Sequence, residues 1–330
     1  MKYLFYLAFF LFSFCSSQES KINGISFVAS NSLTSEKEIE PILHSNANWV
    51  TLMPFAFMKT INDTALFYNS NRQWIGERKE GIEHAANQFK KNKISVMLKP
   101  QIWIPNGFTG HIKMNSEQEW ISLEKNYEKF ILLYAQIAEE QQIELLCIGT
   151  ELNTFVINRP EYWQQLIIKI KALYKGKLTY AENWDTFETV SFFKNIDYIG
   201  IDAYFPLSKE KTPSISEIEQ QWMQHKNKIE NLAKELNKKV LFTEFGYQSI
   251  DYTTKEPWDF NQKKTLNLKA QSNALQALFN TFWKEDWFAG GFLWKWFDDY
   301  ENVGGLEDTD YTVQNKPAFQ IIQNEYKKMR

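Results

Sequence analysis

Apolar and polar positions alternate on a large scale along this chain. Eight runs rich in Ile, Val, Leu, Phe and Tyr cover residues 22–28, 47–55, 93–100, 143–151, 177–183, 196–204, 239–245 and 288–296. Runs of this length and composition, closed by Pro, Gly or polar clusters, predict strands. Between them lie stretches with helix-start signals. Residues 34–44 carry Glu36 and Glu38 in the first turns, where acids favour the helix dipole, with an awkward Pro41 further along. Residues 76–91 form the second helical stretch. Ser116 with Glu119 is a capping-box match that opens a long helix to Gln142. Pro160 starts a helix to Tyr174, and a short helix is expected near residues 186–193. Ser216 with Glu219 matches a second capping box, for a helix reaching Asn237. A polar loop at 248–264 precedes a helix to Lys284, and Pro317 starts a last helix over 316–329.

Strand then helix, eight times, predicts an α/β chain with a parallel sheet and helices outside it. Eight units favour a single closed (β/α)8 TIM barrel, spanning residues 21–330, over an open doubly wound sheet. No glycine-rich phosphate fingerprint follows any strand, which argues against a dinucleotide fold.

Residues 1–17 stand apart from this pattern. Lys2 precedes an apolar stretch from Leu4 to Phe12, and small polar residues follow, as in a secretory signal peptide. The stretch is too short to span a bilayer as a helix. Cys15 sits where a lipoprotein cysteine would sit, although Phe14 replaces the usual small residue before it. Two fates stay open: membrane attachment through a lipidated Cys15, or cleavage near Ser17. Either reading predicts a secreted, periplasmic or cell-surface protein. Cys147, the other cysteine, lies in an apolar run and reads as a buried small hydrophobe.

Net charge of −3 offers no basic face for nucleic acid. The four histidines are scattered, and no cluster has metal-ligand spacing, so neither metal nor cofactor is expected. The 12 Trp residues exceed what a core of this size usually takes. Most must pack inside, and the surplus suits stacking on the flat faces of sugars.

Two stretches carry the chemistry. Residues 147–153 (Cys-Ile-Gly-Thr-Glu-Leu-Asn) and 240–247 (Val-Leu-Phe-Thr-Glu-Phe-Gly-Tyr) each end a strand on Thr-Glu. Burying one carboxylate at a strand end is unfavourable unless it is paired. Two of them, Glu151 after the fourth strand and Glu244 after the seventh, face the barrel mouth where active sites of this fold lie. Paired carboxylates are what glycoside hydrolysis uses, and a separation of about 5 Å belongs to the retaining route.

The motifs Gly149-Thr150-Glu151-Leu152-Asn153, Tyr180-Ala181-Glu182-Asn183-Trp184, residues 197–204, Phe242-Thr243-Glu244-Phe245-Gly246-Tyr247 and Gly291-Phe292-Leu293-Trp294-Lys295-Trp296 resemble glycoside hydrolase family 113. This family sits in the clan of retaining (β/α)8-barrel glycoside hydrolases, and its members act as endo-β-1,4-mannanases. The resemblance implies Glu151 as acid/base, Glu244 as nucleophile and a β-linked oligo- or polysaccharide as partner. One departure is Thr150, which stands where many clan members have Asn. Another group must then contact the sugar 2-hydroxyl, or the contact differs.

Substrate-binding candidates ring the same mouth. Trp294 reads as the floor beneath the sugar next to the nucleophile, with core packing as its other reading, and Trp296, two residues on, as facing the same way if the strand persists. Tyr204 is either a hydrogen-bond donor to the nucleophile or a core tyrosine. Trp184 and Asn183 read as subsite residues at the fifth strand's end, with packing under the rim as the other reading of Trp184. Trp103 and Lys99 lie at the third strand's exit, with Lys99 either bonding sugar hydroxyls or solvated. Asp202 is a sugar-binding group or the partner of a rim cation. Glu182 is a third carboxylate of the site or an internal ion-pair partner. Two rival functions remain: a β-glycosidase or transglycosylase for another hexose-containing glycan, and a non-catalytic surface glycan-binding protein.

Overall fold

The computed structural model describes residues 20–328. The expected leader, with Cys15, lies outside the described residues, as does the expected last residue of the final helix, Met329.

Eight parallel strands follow one another around a closed barrel. They are β1 (Ile22–Phe27), β2 (Trp49–Leu52), β3 (Ser95–Leu98), β4 (Leu145–Thr150), β5 (Lys177–Asn183), β6 (Tyr198–Asp202), β7 (Lys239–Phe245) and β8 (Phe288–Trp296). β8 returns to pair with β1, Ile22 against Gly290 and Gly24 against Phe292. The helices are α1 (Glu36–His44), α2 (Lys79–Lys91), α3 (Glu117–Glu140), α4 (Asn153–Asn158), α5 (Pro160–Leu173), α6 (Ile215–Leu236), α7 (Leu268–Phe282) and α8 (Pro317–Lys328). The single (β/α)8 barrel expected from the sequence is therefore present.

Local differences have local causes. α1 starts at a complete capping box of Ser35 and Glu38, and Pro41 lies inside it without ending it. Ser116 caps α3 by accepting from the Glu119 N–H, but the Glu119 carboxylate reaches back to the amide of Asn115. The second expected capping box is displaced: α6 starts at Ser214 with Glu217, and Ser216 already lies inside the helix. The same Ser-x-x-Glu spacing occurs twice in Ser214–Glu219, and the earlier copy is used. The short helix expected near 186–193 is present as two 3-10 helices, Phe187–Thr189 and Ser191–Asn195, and not as an α-helix. β2 and β3 stop earlier than expected. Beyond them the chain forms a separate pair of rim strands, Phe55–Phe57 and Gln101–Trp103, parallel to each other above the barrel.

Two apolar layers hold the barrel. The larger packs the helices on its outside, with Trp163, Trp222, Trp283 and Trp296 fully buried. The smaller fills the inside and includes Ile22, Met97, Leu145, Cys147, Ala181, Leu241 and Phe292. Cys147 is a buried free thiol, as its apolar setting predicts. Side chains alternate along a strand, so the inward rows of Met97 and Leu241 continue upward to Lys99 and Thr243. This periodicity carries polar groups from the plugged interior to the mouth.

Candidate active site

Bulges at the upper ends of three strands set the aim of the site residues. Between Cys147 and Thr150, three steps on β4 match two on β5. Between Phe242 and Glu244, two steps on β7 match one on β6. Between Leu293 and Trp296, three steps on β8 match two on β1. Such irregularities re-aim side chains, and they gather next to active sites.

Glu151 follows the first bulge directly. Its φ is +51°, a left-handed conformation rare outside glycine. Two bonds fix it there: its N–H donates to the Ala181 carbonyl at 2.7 Å, and the next amide, Leu152, donates to the Tyr180 hydroxyl at 2.8 Å. Gly149 makes room for this. A Cβ there would come within 2.8 Å of both the Tyr127 hydroxyl and the Tyr180 ring. No described residue donates a hydrogen bond to the Glu151 carboxylate. Burial first, then the negative charges of Asp202 and Glu244, push its pKa well above the ordinary value, against the pull of Lys99. It is built to hold a proton.

Glu244 is the opposite case. Lys99 Nζ donates to its Oε1 at 2.5 Å, Gln101 Nε2 reaches the same oxygen at 3.4 Å, and the Tyr204 hydroxyl donates to Oε2 at 2.8 Å. Both oxygens are thus held by donors, one of them a cation. Lys99 also donates to both oxygens of Asp202 at 3.2 and 3.3 Å, and Thr243 Oγ1 donates to Asp202 at 2.7 Å. Burial alone would lower the Lys99 pKa; the charges of Asp202 and Glu244 outweigh it and hold the ammonium protonated. Burial and the Glu244 charge push Asp202 up to about 7, opposed by Lys99 and Thr243.

This geometry revises several expectations. Lys99 is 0% exposed, so it is neither a sugar ligand nor solvated. It is the buried cation beneath the nucleophile candidate. Asp202 is likewise buried; of its two readings the ion pair holds, with a buried lysine in place of a rim cation. Trp296 does not face the mouth. The β8 bulge shifts the alternation by one, and the indole is fully buried against Tyr300 and Phe319. Glu182 is buried and internally bonded, accepting from Tyr180, Thr186 and the Asn183 amide; it has no cation partner among the described residues.

Other candidates stay at the mouth. Trp294 is half-buried, and its backbone lies against Gly246, two residues past Glu244. Asn183 is half-buried, and its Oδ1 accepts from the Trp184 amide. Trp184 stacks one indole face on Trp258 at 4.9 Å and 23°. Trp103 is exposed on its rim strand. Sequence reasoning missed Gln101, Tyr180 and Trp258. Gln101 stands two residues before Trp103, so only the unseen rim strand hid it. Trp258 was hidden in a loop read as merely polar.

A clamped carboxylate opposite an unclamped, proton-holding one is the division of labour that glycoside hydrolysis requires. The family model described as Glycoside Hydrolase Family 113 matches residues 29–316. The chain belongs to this family. It is therefore a glycoside hydrolase, which sets aside the non-catalytic reading. Among solved structures, the GH113 β-mannanase AaManA from Alicyclobacillus acidocaldarius, in complex with ManMIm, superposes with a TM-score of 0.83 at 24% identity, over 94% of this chain and 98% of that one. A GH113 β-1,4-mannanase structure gives 0.81 at 23%, over 93% and 99%. A β-glucuronidase from Ruminococcus gnavus gives 0.62 at 14%, over 93% of this chain and 50% of that chain. At these identities the likeness carries the fold. No curated protein sequence matches the chain.

Proposed function

We propose that this glycoside hydrolase is a retaining endo-β-1,4-mannanase, with Glu244 as nucleophile and Glu151 as acid/base. The observation that carries the mechanism is the asymmetry of the two glutamates. Glu244 has a lysine, a tyrosine and a glutamine directed at its oxygens, while Glu151 has no donor among the described residues and a raised pKa. The mannan substrate is supported by the family and by the two structural relatives described as β-mannanases.

In the first step a Glu244 oxygen attacks the anomeric carbon. The bond from that carbon to the leaving oxygen breaks, and the Glu151 proton passes to that oxygen. In the second, water attacks the same carbon, Glu151 takes its proton, and the Glu244 ester bond breaks. Lys99 and Tyr204 hold the carboxylate in place for attack, and Asp202 and Thr243 hold Lys99. Through the first step the buried charge changes little. Lys99 and Asp202 balance each other, and as Glu244 loses its charge to the ester, Glu151 gains one. Trp294 serves as the floor of the adjoining sugar site. Asn183 and Trp184 line its edge.

The test is hydrolysis of mannohexaose and of cello-oligosaccharides by the chain from residue 20 onward, with Glu244→Gln in parallel. Mannohexaose turnover that gives the β-anomer first, lost in the variant, is the expected result. An α-anomer first product would overturn the retaining mechanism, and turnover of the cello series alone would overturn the mannan assignment. The leader-like start adds a proposal of export to the periplasm or cell surface. Intact mass of the protein from membrane and soluble fractions separates a lipidated Cys15 from cleavage near Ser17, and an unprocessed Met1 would refute export.

A further inference from the structure

Three exposed aromatic rings stand side by side on the barrel rim, and neither the catalytic pair nor the fold requires them. Trp103 is 54% exposed, Phe57 37% and Phe67 53%. Phe57 is the direct register partner of Trp103. On its other side Phe57 exchanges both backbone hydrogen bonds with Phe67, at 2.8 and 2.9 Å, in an antiparallel bridge. Directly paired residues project to the same face of a sheet, so the rings form one row across three chain segments. The opposite face of this small sheet is closed: Ala56 and Ile102 are buried, and Leu66 packs on the core.

Single exposed aromatics are ordinary. A row joined to the reacting centre is not. Gln101, whose amide reaches Glu244, lies two residues before Trp103 on the same face of the same strand. The row therefore starts about 7 Å from a residue that touches the nucleophile candidate, at roughly 3.3 Å per residue. It then runs sideways in steps of about 4.8 Å, the spacing of paired strands. That step is close to the advance per sugar in an extended β-1,4-linked chain. The row is all aromatic, with no aliphatic member. This suits the C–H faces of hexopyranose rings better than it suits a protein partner.

We propose that Trp103, Phe57 and Phe67 form a stacking platform for sugars lying beyond the cleavage point. Its occupant is an extended β-1,4-linked hexopyranose chain. The inference rests on the glycosidase reading above, and it adds a preference for long chains built into the rim.

The experiment compares wild type, Trp103→Ala, Trp103→Phe and the double variant Phe57→Ala/Phe67→Ala on a series of oligosaccharides of increasing length. The series is manno- or cello-, whichever the wild type cleaves, so a wrong sugar assignment does not disturb the test. The loss in kcat/KM should grow with chain length. On the hexaose it should exceed the loss on the shortest cleaved oligosaccharide by about tenfold, equivalent to ~1.4 kcal/mol. Trp103→Phe should recover part of it. Losses equal at all lengths, or no loss at any length, overturn the platform. Should neither series be cleaved, gel retardation in glucomannan serves as the readout. Retardation weakened by the double variant supports the platform; retardation unchanged, or absent in the wild type, overturns it.

Discussion

At the residue scale, the proposed mechanism rests on one environment that opposes charge and one that stabilises it. Glu151 is held protonated by burial and by negative neighbours. The folded state keeps this proton at pH values where the unfolded chain, titrating near 4.5, has released it. Stability from this group is thus highest below about pH 4.5 and declines as pH rises toward the folded value. Glu151→Gln should therefore leave Tm nearly unchanged at about pH 4 and raise it relative to wild type at about pH 8. Thermal unfolding at both values checks this, and an equal shift at both contradicts it. Asp202 is the largest charged contributor to the raised Glu151 pKa. Asp202→Asn should move the basic limb of the kcat/KM profile to lower pH, and an unmoved limb would argue against the coupling. Tyr204→Phe removes one 2.8 Å hydrogen bond to the Glu244 carboxylate, worth roughly 1.5–3 kcal/mol of stability, so Tm should fall, and kcat/KM should fall with it because the nucleophile candidate loses a group that aims it; wild-type values of both would contradict this role. Lys99→Met strands two buried carboxylates. A loss of about 3–5 kcal/mol in stability is expected, together with a fall in kcat, and Lys99→Met/Asp202→Asn should regain part of the stability.

At the element scale, the positions of strands could be read from the sequence, but the facing of residues beyond a bulge could not. The bounds of β5, β7 and β8 agree with the expected 177–183, 239–245 and 288–296, because each contains an apolar or aromatic run that stands out from its polar surroundings. Glu151 and Glu244 could be read as strand-end carboxylates for the same reason. The burial of Lys99 was also open to reading: it is two residues past Met97, on the inward row. Trp296 was misplaced because a one-residue bulge leaves no mark in the local pattern. The rim strands were missed because Pro54 and Pro100 read as strand stops, whereas each separates a barrel strand from a short rim strand. The capping-box signal was displaced where the motif repeats, at Ser214 and Ser216, and only half used at Ser116, where the Glu119 carboxylate takes the Asn115 amide. Gly149 gives the element-scale prediction. A methyl group there would displace Tyr180, whose hydroxyl holds the Leu152 amide behind Glu151. Gly149→Ala should cost about 1–3 kcal/mol of stability and lower kcat more than it changes KM. Wild-type values of both would show that the turn is not held this way.

At the scale of the whole molecule, the barrel is closed by its two ends. β1 pairs with β8, and Asn23 accepts from the Trp283 indole and donates to the Tyr326 carbonyl, while the Tyr326 hydroxyl donates to Gly24. The family match begins at residue 29 and ends at 316, so it leaves out β1 and α8. A protein trimmed to 29–316 should lose the cooperative unfolding transition that a 20–330 protein shows, since an opened barrel exposes the edges of β2 and β8. A cooperative transition in the shorter protein would contradict the role of this seam. The closed ring also brings the ends of β4 and β7 to one mouth, where the proposed mechanism has Glu151 and Glu244 serve one substrate. That assignment is tested most directly by trapping the intermediate. The protein would be incubated with a 2-deoxy-2-fluoro-mannosyl donor bearing a good leaving group, then digested and mapped by mass spectrometry. A single fluoromannosyl adduct on Glu244, absent in Glu244→Gln, is the predicted result; an adduct on Glu151, or turnover with no adduct and an α-anomer product, would contradict it.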